Sequence, residues 1–159
     1  MRLSNLNSKK VELTEEGFDN LKKEQNELIK EKRPQAVARL QKARSMGDLS
    51  ENSEYTAAKE NLAFIEGRIQ EIEEILKNAI VIKKEKNNHQ VSVGAQVTVD
   101  IDGRQEKYWI VGEFEADPLK KKLSHNSPIG QALVGKKVGD LVEIEIPAGK
   151  IKYKILEIK

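Results

Sequence analysis

The chain has 159 residues, with 28 Lys and Arg against 26 Asp and Glu and a formal net charge of +2. Of these residues 34% are charged, 38% hydrophobic and 4% aromatic, and there is no cysteine. No stretch approaches the ~18 apolar residues of a membrane span, and without Cys a disulfide framework, a thiol nucleophile and Cys-ligated zinc are excluded.

The chain opens with Met1-Arg2-Leu3-Ser4-Asn5-Leu6-Asn7. This leader lacks the apolar core of a signal peptide, so a cytoplasmic protein is expected, with the residues up to Lys10 frayed. From Thr14 to Asn78 the sequence is rich in Glu, Lys, Ala, Leu and Gln, all good helix formers. Thr14 reads as an N-cap, with Glu15 and Glu16 in the first turn where the helix dipole favours acids. Phe18, Leu21, Leu28, Val37 and Leu40 then form a loose apolar face, and Pro34 falls inside it and predicts a kink or a split. After a break at Ser45-Met46-Gly47-Asp48-Leu49-Ser50, a second helix shows a sustained seam. Tyr55, Ala58, Leu62, Ile65, Ile69, Ile72 and Leu76 recur in 3-4 spacing, the a/d pattern of a coiled coil. Two helices joined by so short a loop run antiparallel, each extending roughly 35–45 Å.

The texture changes near residue 83, where a polar run, Lys-Lys-Glu-Lys-Asn-Asn-His-Gln, reads as a linker. Beyond it Val91 to Val93, Gln96 to Ile101, Lys107 to Val111, Leu141 to Ile146 and Ile151 to Ile158 read as strands, with Asp102-Gly103 as a tight turn. Ser127 and Pro128 start a short helix as its cap and first residue. The expected fold class is α+β: residues 1–83 form an N-terminal antiparallel coiled-coil hairpin with its tip near 47–52. Residues 84–159 form a small antiparallel β-sheet domain with one short helix. Trp109 is expected in the core, and His125 at the surface or a strand end.

Charge divides evenly: residues 1–83 carry 15 basic and 15 acidic residues, and residues 84–159 carry 13 and 11. Neither half has the cationic surplus of a DNA-wrapping module. Around the loop, Arg39, Lys42 and Arg44 precede and Lys59 follows two acids, Asp48 and Glu51. These cations read either as a solvated helix face or as a local patch. The acids have two readings as well. Asp48-Leu49-Ser50-Glu51 has the form of a capping box. Two carboxylates on an exposed tip are also suitable ligands for a hard divalent ion such as Mg²⁺, which takes one or two protein carboxylates with water and substrate phosphates. Two acids do not make an enzyme site alone, so the second reading needs a partner to complete the shell.

The run Gly47-Asp48-Leu49-Ser50-Glu51-Asn52-Ser53-Glu54-Tyr55-Thr56-Ala57-Ala58-Lys59-Glu60 resembles the tip signature of the bacterial GreA-type transcript-cleavage factors. A second block is similar too: Ile110-Val111-Gly112, Glu115-Ala116-Asp117, Asn126-Ser127-Pro128-Ile129-Gly130 and Leu133-Val134-Gly135-Lys136. Ser53 and Thr56 depart from the residues common in that family, and Ala57-Ala58 favours its GreA branch. The resemblance implies a hairpin that enters the secondary channel of RNA polymerase and an FKBP-like C-terminal domain that docks at the channel rim. It implies that Asp48 and Glu51 help hold a Mg²⁺ shared with the polymerase active site, with none bound in isolation. Backtracked RNA is then cut hydrolytically by the polymerase, following the two-metal logic in which both reacting oxygens are clamped. The factor is thus expected not to be an enzyme itself. Asn52 and Tyr55 are implied to orient the acids or the RNA, and Arg44 and Lys59 to hold the extruded RNA 3′ end. A monomer without membrane contact is expected. The rivals are a prolyl isomerase, for which the second half has few aromatics; a non-cleaving channel-binding paralogue, which needs an altered tip; and a coiled-coil scaffold, which leaves the second block unexplained.

Overall fold

Hydrophobic periodicity gives way to two long helical limbs followed by short strands, and a computed structural model describes residues 9–47, 52–84 and 89–159. The element order is β1 (Val11–Thr14), α1 (Glu15–Glu27), α2 (Arg33–Ser45), α3 (Ser53–Lys77), β2 (Ala79–Ile82), β3 (Gln96–Ile101), β4 (Arg104–Val111), β5 (Lys122–Ser124), α4 (Pro128–Leu133), β6 (Leu141–Ile146) and β7 (Gly149–Ile158). By compactness the chain divides into Phe18–Asn78 and a second unit joining the residues up to Gly17 to Ala79–Lys159. The second unit is discontinuous in sequence because β1 and β2 pair in parallel, Val11 opposite Ala79 through Thr14 opposite Ile82. Parallel neighbours need a long crossover, and here the helical hairpin is that crossover.

Within the helical unit, α1 and α2 are separated by a π-helical turn, Leu28–Lys32, in which Arg33 N–H reaches back to Leu28 O. Pro34, in the first turn of α2, explains it. Proline has no N–H to give Lys30 O, and its ring crowds that carbonyl, so the helix widens by one residue ahead of it. Facing this limb, α3 buries Ala58, Ile65, Ile69, Ile72 and Ile75. The seam ends on Ile75 and leaves Leu76 only half-buried, the drift expected when a helix of 3.6 residues per turn meets a 3.5-residue repeat. On the opposite limb the fully buried residues of α2 are Ala36 and Ala43, while Val37 and Leu40 are half-buried. Ala36 packs on Ile65 and Ile69, with Leu28 and Leu62 beside them. Three ion pairs set the antiparallel register: Glu24 with Arg68, Arg33 with Glu66, and Arg39 with Glu54.

The second unit holds a five-stranded sheet in the order β5-β4-β3-β7-β6. Three of its pairings are antiparallel; β4 with β5 is parallel, so the sheet is mixed rather than wholly antiparallel. The Asp102-Gly103 turn joins β3 to β4 with both residues at positive φ, +51° and +83°, the type I′ geometry that Asp-Gly suits. Val91 to Val93 form no strand. Their backbone instead pairs with the segment after α4, Val91 N–H to Lys136 O and Gly135 N–H to Val91 O, and β5 is the fifth strand. The core gathers Val97, Val99, Ile110, Val142, Ile144, Tyr153 and Ile155 under Leu133 of α4. A register shift between Thr98 and Val99, where β7 carries an extra residue, moves the inward positions of β7 from Tyr153 and Ile155 to Ile158. Trp109 is 40% exposed, contrary to its expected place in the core. Tyr108 and Ile110 take the inward parity of β4, and side chains on a strand alternate between faces.

Candidate functional site

The Asn52 side chain joins the facing ends of the two helical limbs. Asn52, in extended conformation, is the N-cap of α3, and its Oδ1 accepts the Tyr55 N–H at 3.1 Å. Its Nδ2 donates to Ala43 O at 2.9 Å, so the same amide ties the start of α3 to the last turn of α2. The capping expected of Asp48 therefore falls to Asn52 for this helix. Asp48 and Glu51 themselves lie outside the described residues, as do Leu49 and Ser50. The flanking Gly47 is at φ +127°, a conformation that side-chain-bearing residues rarely adopt.

Around this closure the two limbs come close because Ala43 and Ala58 are buried and small. Arg39 makes a two-pronged contact with Glu54, Nε to Oε1 at 2.7 Å and Nη2 to Oε2 at 3.2 Å. Hydrogen bonding from Arg39 holds the Glu54 carboxyl below the ordinary carboxylate range, and the same pair raises Arg39. Arg39 is thus already matched by an acid, and the exposed cations nearest the turn are Lys42 and Arg44, both in the last turn of α2 where the helix dipole favours them. Tyr55 is half-buried, and Lys59, four residues on, is exposed on the same face of α3. The helix termini thus bring Asn52 and Tyr55 together and place Arg44 and Lys59 on the limbs beside them. Asp48 and Glu51 supply, by sequence, two oxygen ligands of the class Mg²⁺ takes, fewer than its shell requires.

The second signature block has a structural explanation. Gly112 lies against β1, where an added Cβ would meet Glu12 O at 2.1 Å. Glu115 accepts hydrogen bonds from Thr14 N–H at 2.9 Å, from the Thr14 hydroxyl and from Gly112 N–H at 3.2 Å. Thr14 Oγ1 accepts the Gly17 N–H at 3.0 Å, which makes Thr14 the cap of α1. Asp117 caps the 3-10 turn Pro118–Lys120 through Leu119 N–H, and Ser127 caps α4 through Gly130 N–H. Gly130 in turn leaves room for Ser124 O, which an added Cβ would approach to 2.0 Å. His125 follows β5, with Nε2 3.4 Å from Glu12 Oε2 and Nδ1 3.2 Å from Val111 O. Local sequence patterns give no sign of the contact between Thr14 and Glu115, because the residues stand 101 positions apart.

Two family models account for nearly the whole chain: "Transcription elongation factor, N-terminal" over residues 11–81 and "Transcription elongation factor, GreA/GreB, C-term" over residues 86–159. The chain belongs to the GreA/GreB family of transcription elongation factors. It is 52% identical to transcription elongation factor GreA of Thermoanaerobacter pseudethanolicus over 155 residues, covering 96% of this chain and 99% of that one. Over the same length it is 48% identical to GreA of Acetivibrio thermocellus, with 96% and 98% coverage. Among solved structures, GreA factor homolog 1 (Gfh1) of Thermus thermophilus is 30% identical, covering 94% of this chain and 99% of its own, with a TM-score of 0.44, a superposition too loose to bear on the fold. No described helix is long and apolar enough to cross a membrane.

Proposed function

We propose that this protein enters the secondary channel of RNA polymerase with its helical hairpin and stimulates Mg²⁺-dependent hydrolysis of backtracked RNA by the polymerase. The observation that carries the reading is the position of the GreA-type signature: residues 47–60 span the turn between α2 and α3, closed by Asn52. Carboxylates at the end of a long, narrow limb reach a recessed centre that a globular surface does not. At ~1.5 Å per residue, the 25 residues of α3 give the limb about 37 Å of reach. Asp48 and Glu51 lend oxygen ligands there and orient the attacking water. Asn52 and Tyr55 hold the base of the turn, while Arg44 and Lys59 offer positive charge to the extruded RNA backbone. The shared Mg²⁺, when bound, stabilises charge on the reacting oxygens. The sheet unit docks on the polymerase exterior, and the factor works as a cytoplasmic monomer that performs no catalysis alone.

The test is RNA cleavage in a stalled, backtracked polymerase complex with Mg²⁺. Asp48→Asn with Glu51→Gln is expected to abolish stimulation while the protein still competes with wild type for polymerase. Persistence of cleavage in the double variant refutes the ligand role.

A further inference from the structure

The second signature block takes no part in the chemistry proposed above, yet at its Gly112 and Gly130 an added Cβ would lie 2.1 and 2.0 Å from a backbone oxygen. Glu115 stands in a 3-10 turn after β4, and one carboxylate gathers both the N–H and the hydroxyl of Thr14 together with Gly112 N–H. Two neighbours must lack a side chain for it to do so. An added Cβ at Gly17 would lie 2.1 Å from the Glu115 carboxyl carbon, and at Gly112 it would lie 2.9 Å from Oε2. A carboxylate that only needed hydration would find it in solvent without two such concessions. Its target is the root of α1: Thr14 ends β1, caps α1 and passes the contact on to Gly17 N–H. β1 itself is four residues long and, among the described residues, pairs only with β2. A two-stranded ladder of that size is marginal alone, so the root needs a further hold.

We propose that Glu115 is a positioning residue for transcript cleavage, fixing the root of the helix that leads to the tip acids so that they reach the reacting phosphodiester reproducibly. The inference rests on the function proposed above. Binding and delivery separate in it. Removing the half-buried Glu115 carboxylate takes away no fully exposed side chain, but it loosens the root of α1, and small misplacements of reacting groups are costly in rate.

The experiment uses full-length Glu115→Ala, Glu115→Gln and Thr14→Ala. Glutamine keeps an oxygen for the two N–H donors, and its amide donates to Thr14 Oγ1, which has a second lone pair. Amide exchange at Gly17 is expected to quicken about tenfold or more in Glu115→Ala and Thr14→Ala and to stay near wild type in Glu115→Gln. In the backtracked complex the maximal cleavage rate falls about three- to tenfold in the first two, with the half-saturating factor concentration held within about twofold. Unchanged Gly17 exchange in Glu115→Ala overturns the proposal. Faster exchange with an unchanged maximal rate overturns it too, leaving only a structural contact. Equal losses of rate in Glu115→Gln and Glu115→Ala would assign the effect to charge rather than position and also overturn it. Failure of the wild type to stimulate cleavage refutes the function itself, a result separate from that of any variant.

Discussion

Replacing Asn52 separates the two jobs of one amide. In Asn52→Ala the cap on Tyr55 N–H is lost, which costs about 1 kcal/mol for a helix of ordinary exposure. The tie to Ala43 O goes as well. That carbonyl keeps a second donor, Met46 N–H at 3.2 Å, so the added loss is that of an ordinary hydrogen bond, about 0.5–1.5 kcal/mol, without an orphaned acceptor. The sum is about 2 kcal/mol, concentrated at the closed end of the hairpin. Asn52→Asp isolates the second job: its carboxylate still caps α3 and suits the helix dipole, but nothing donates to Ala43 O. Amide exchange at Tyr55 and Thr56 is the assay, because a global melt mixes two units. Asn52→Ala is expected to quicken exchange there about thirtyfold, and Asn52→Asp severalfold at most, with exchange at Ile72 unchanged in both. Equal exchange in Asn52→Ala and wild type would refute the closure as described. An effect in Asn52→Asp equal to that in Asn52→Ala would show that the tie to α2, not the cap, holds the turn.

Two glycines test the packing in opposite directions. Gly67 is inside α3 with open space where a Cβ would go, so Gly67→Ala should raise hairpin stability by about 0.5–1 kcal/mol in denaturant unfolding. Gly112→Ala drives a methyl into Glu12 O and should lower stability of the sheet unit by about 1–3 kcal/mol. Ala58→Leu, at a position with no exposed surface against the opposite limb, should cost about 1–3 kcal/mol by overpacking, read as faster exchange along the seam. The Arg39–Glu54 pair gives a pH signature. Glu54 is depressed in the folded state, so its contribution is present above its ordinary value of 4.5 and is lost as pH falls through the lowered one. Acid unfolding of Glu54→Gln should therefore match wild type at the acid end, with a gap that opens as pH rises through the lowered value, is complete above about pH 4.5 and closes in high salt.

How far these residues could be read in advance depended on the range of the contacts that place them. The α3 seam was legible because seven apolar positions repeat within one helix, and the Asp102-Gly103 turn because its backbone demand is local. The facing limb was harder: Ala36 and Ala43 are the residues that let the helices approach, and alanine carries too little hydrophobic weight to mark a seam beside Val37 and Leu40. β1 and β2, four residues each, are too short for alternation to register, and their pairing joins positions 68 residues apart. For Trp109, an apolar run placed both parities of β4 in contention, and only the sheet decided that Tyr108 and Ile110 face the core. At the tip, Asp48-Leu49-Ser50-Glu51 matched the capping-box pattern better than Asn52 did, because that pattern is blind to the acceptor across the turn. Asn52 is favoured by Ala43 O, a group on the other helix. The same non-locality accounts for Glu115, whose partner lies in the strand that begins the fold. A signature residue with no visible chemistry of its own thus becomes intelligible as the hold on α1, while the acids that carry the proposed chemistry were recognisable from the signature around them.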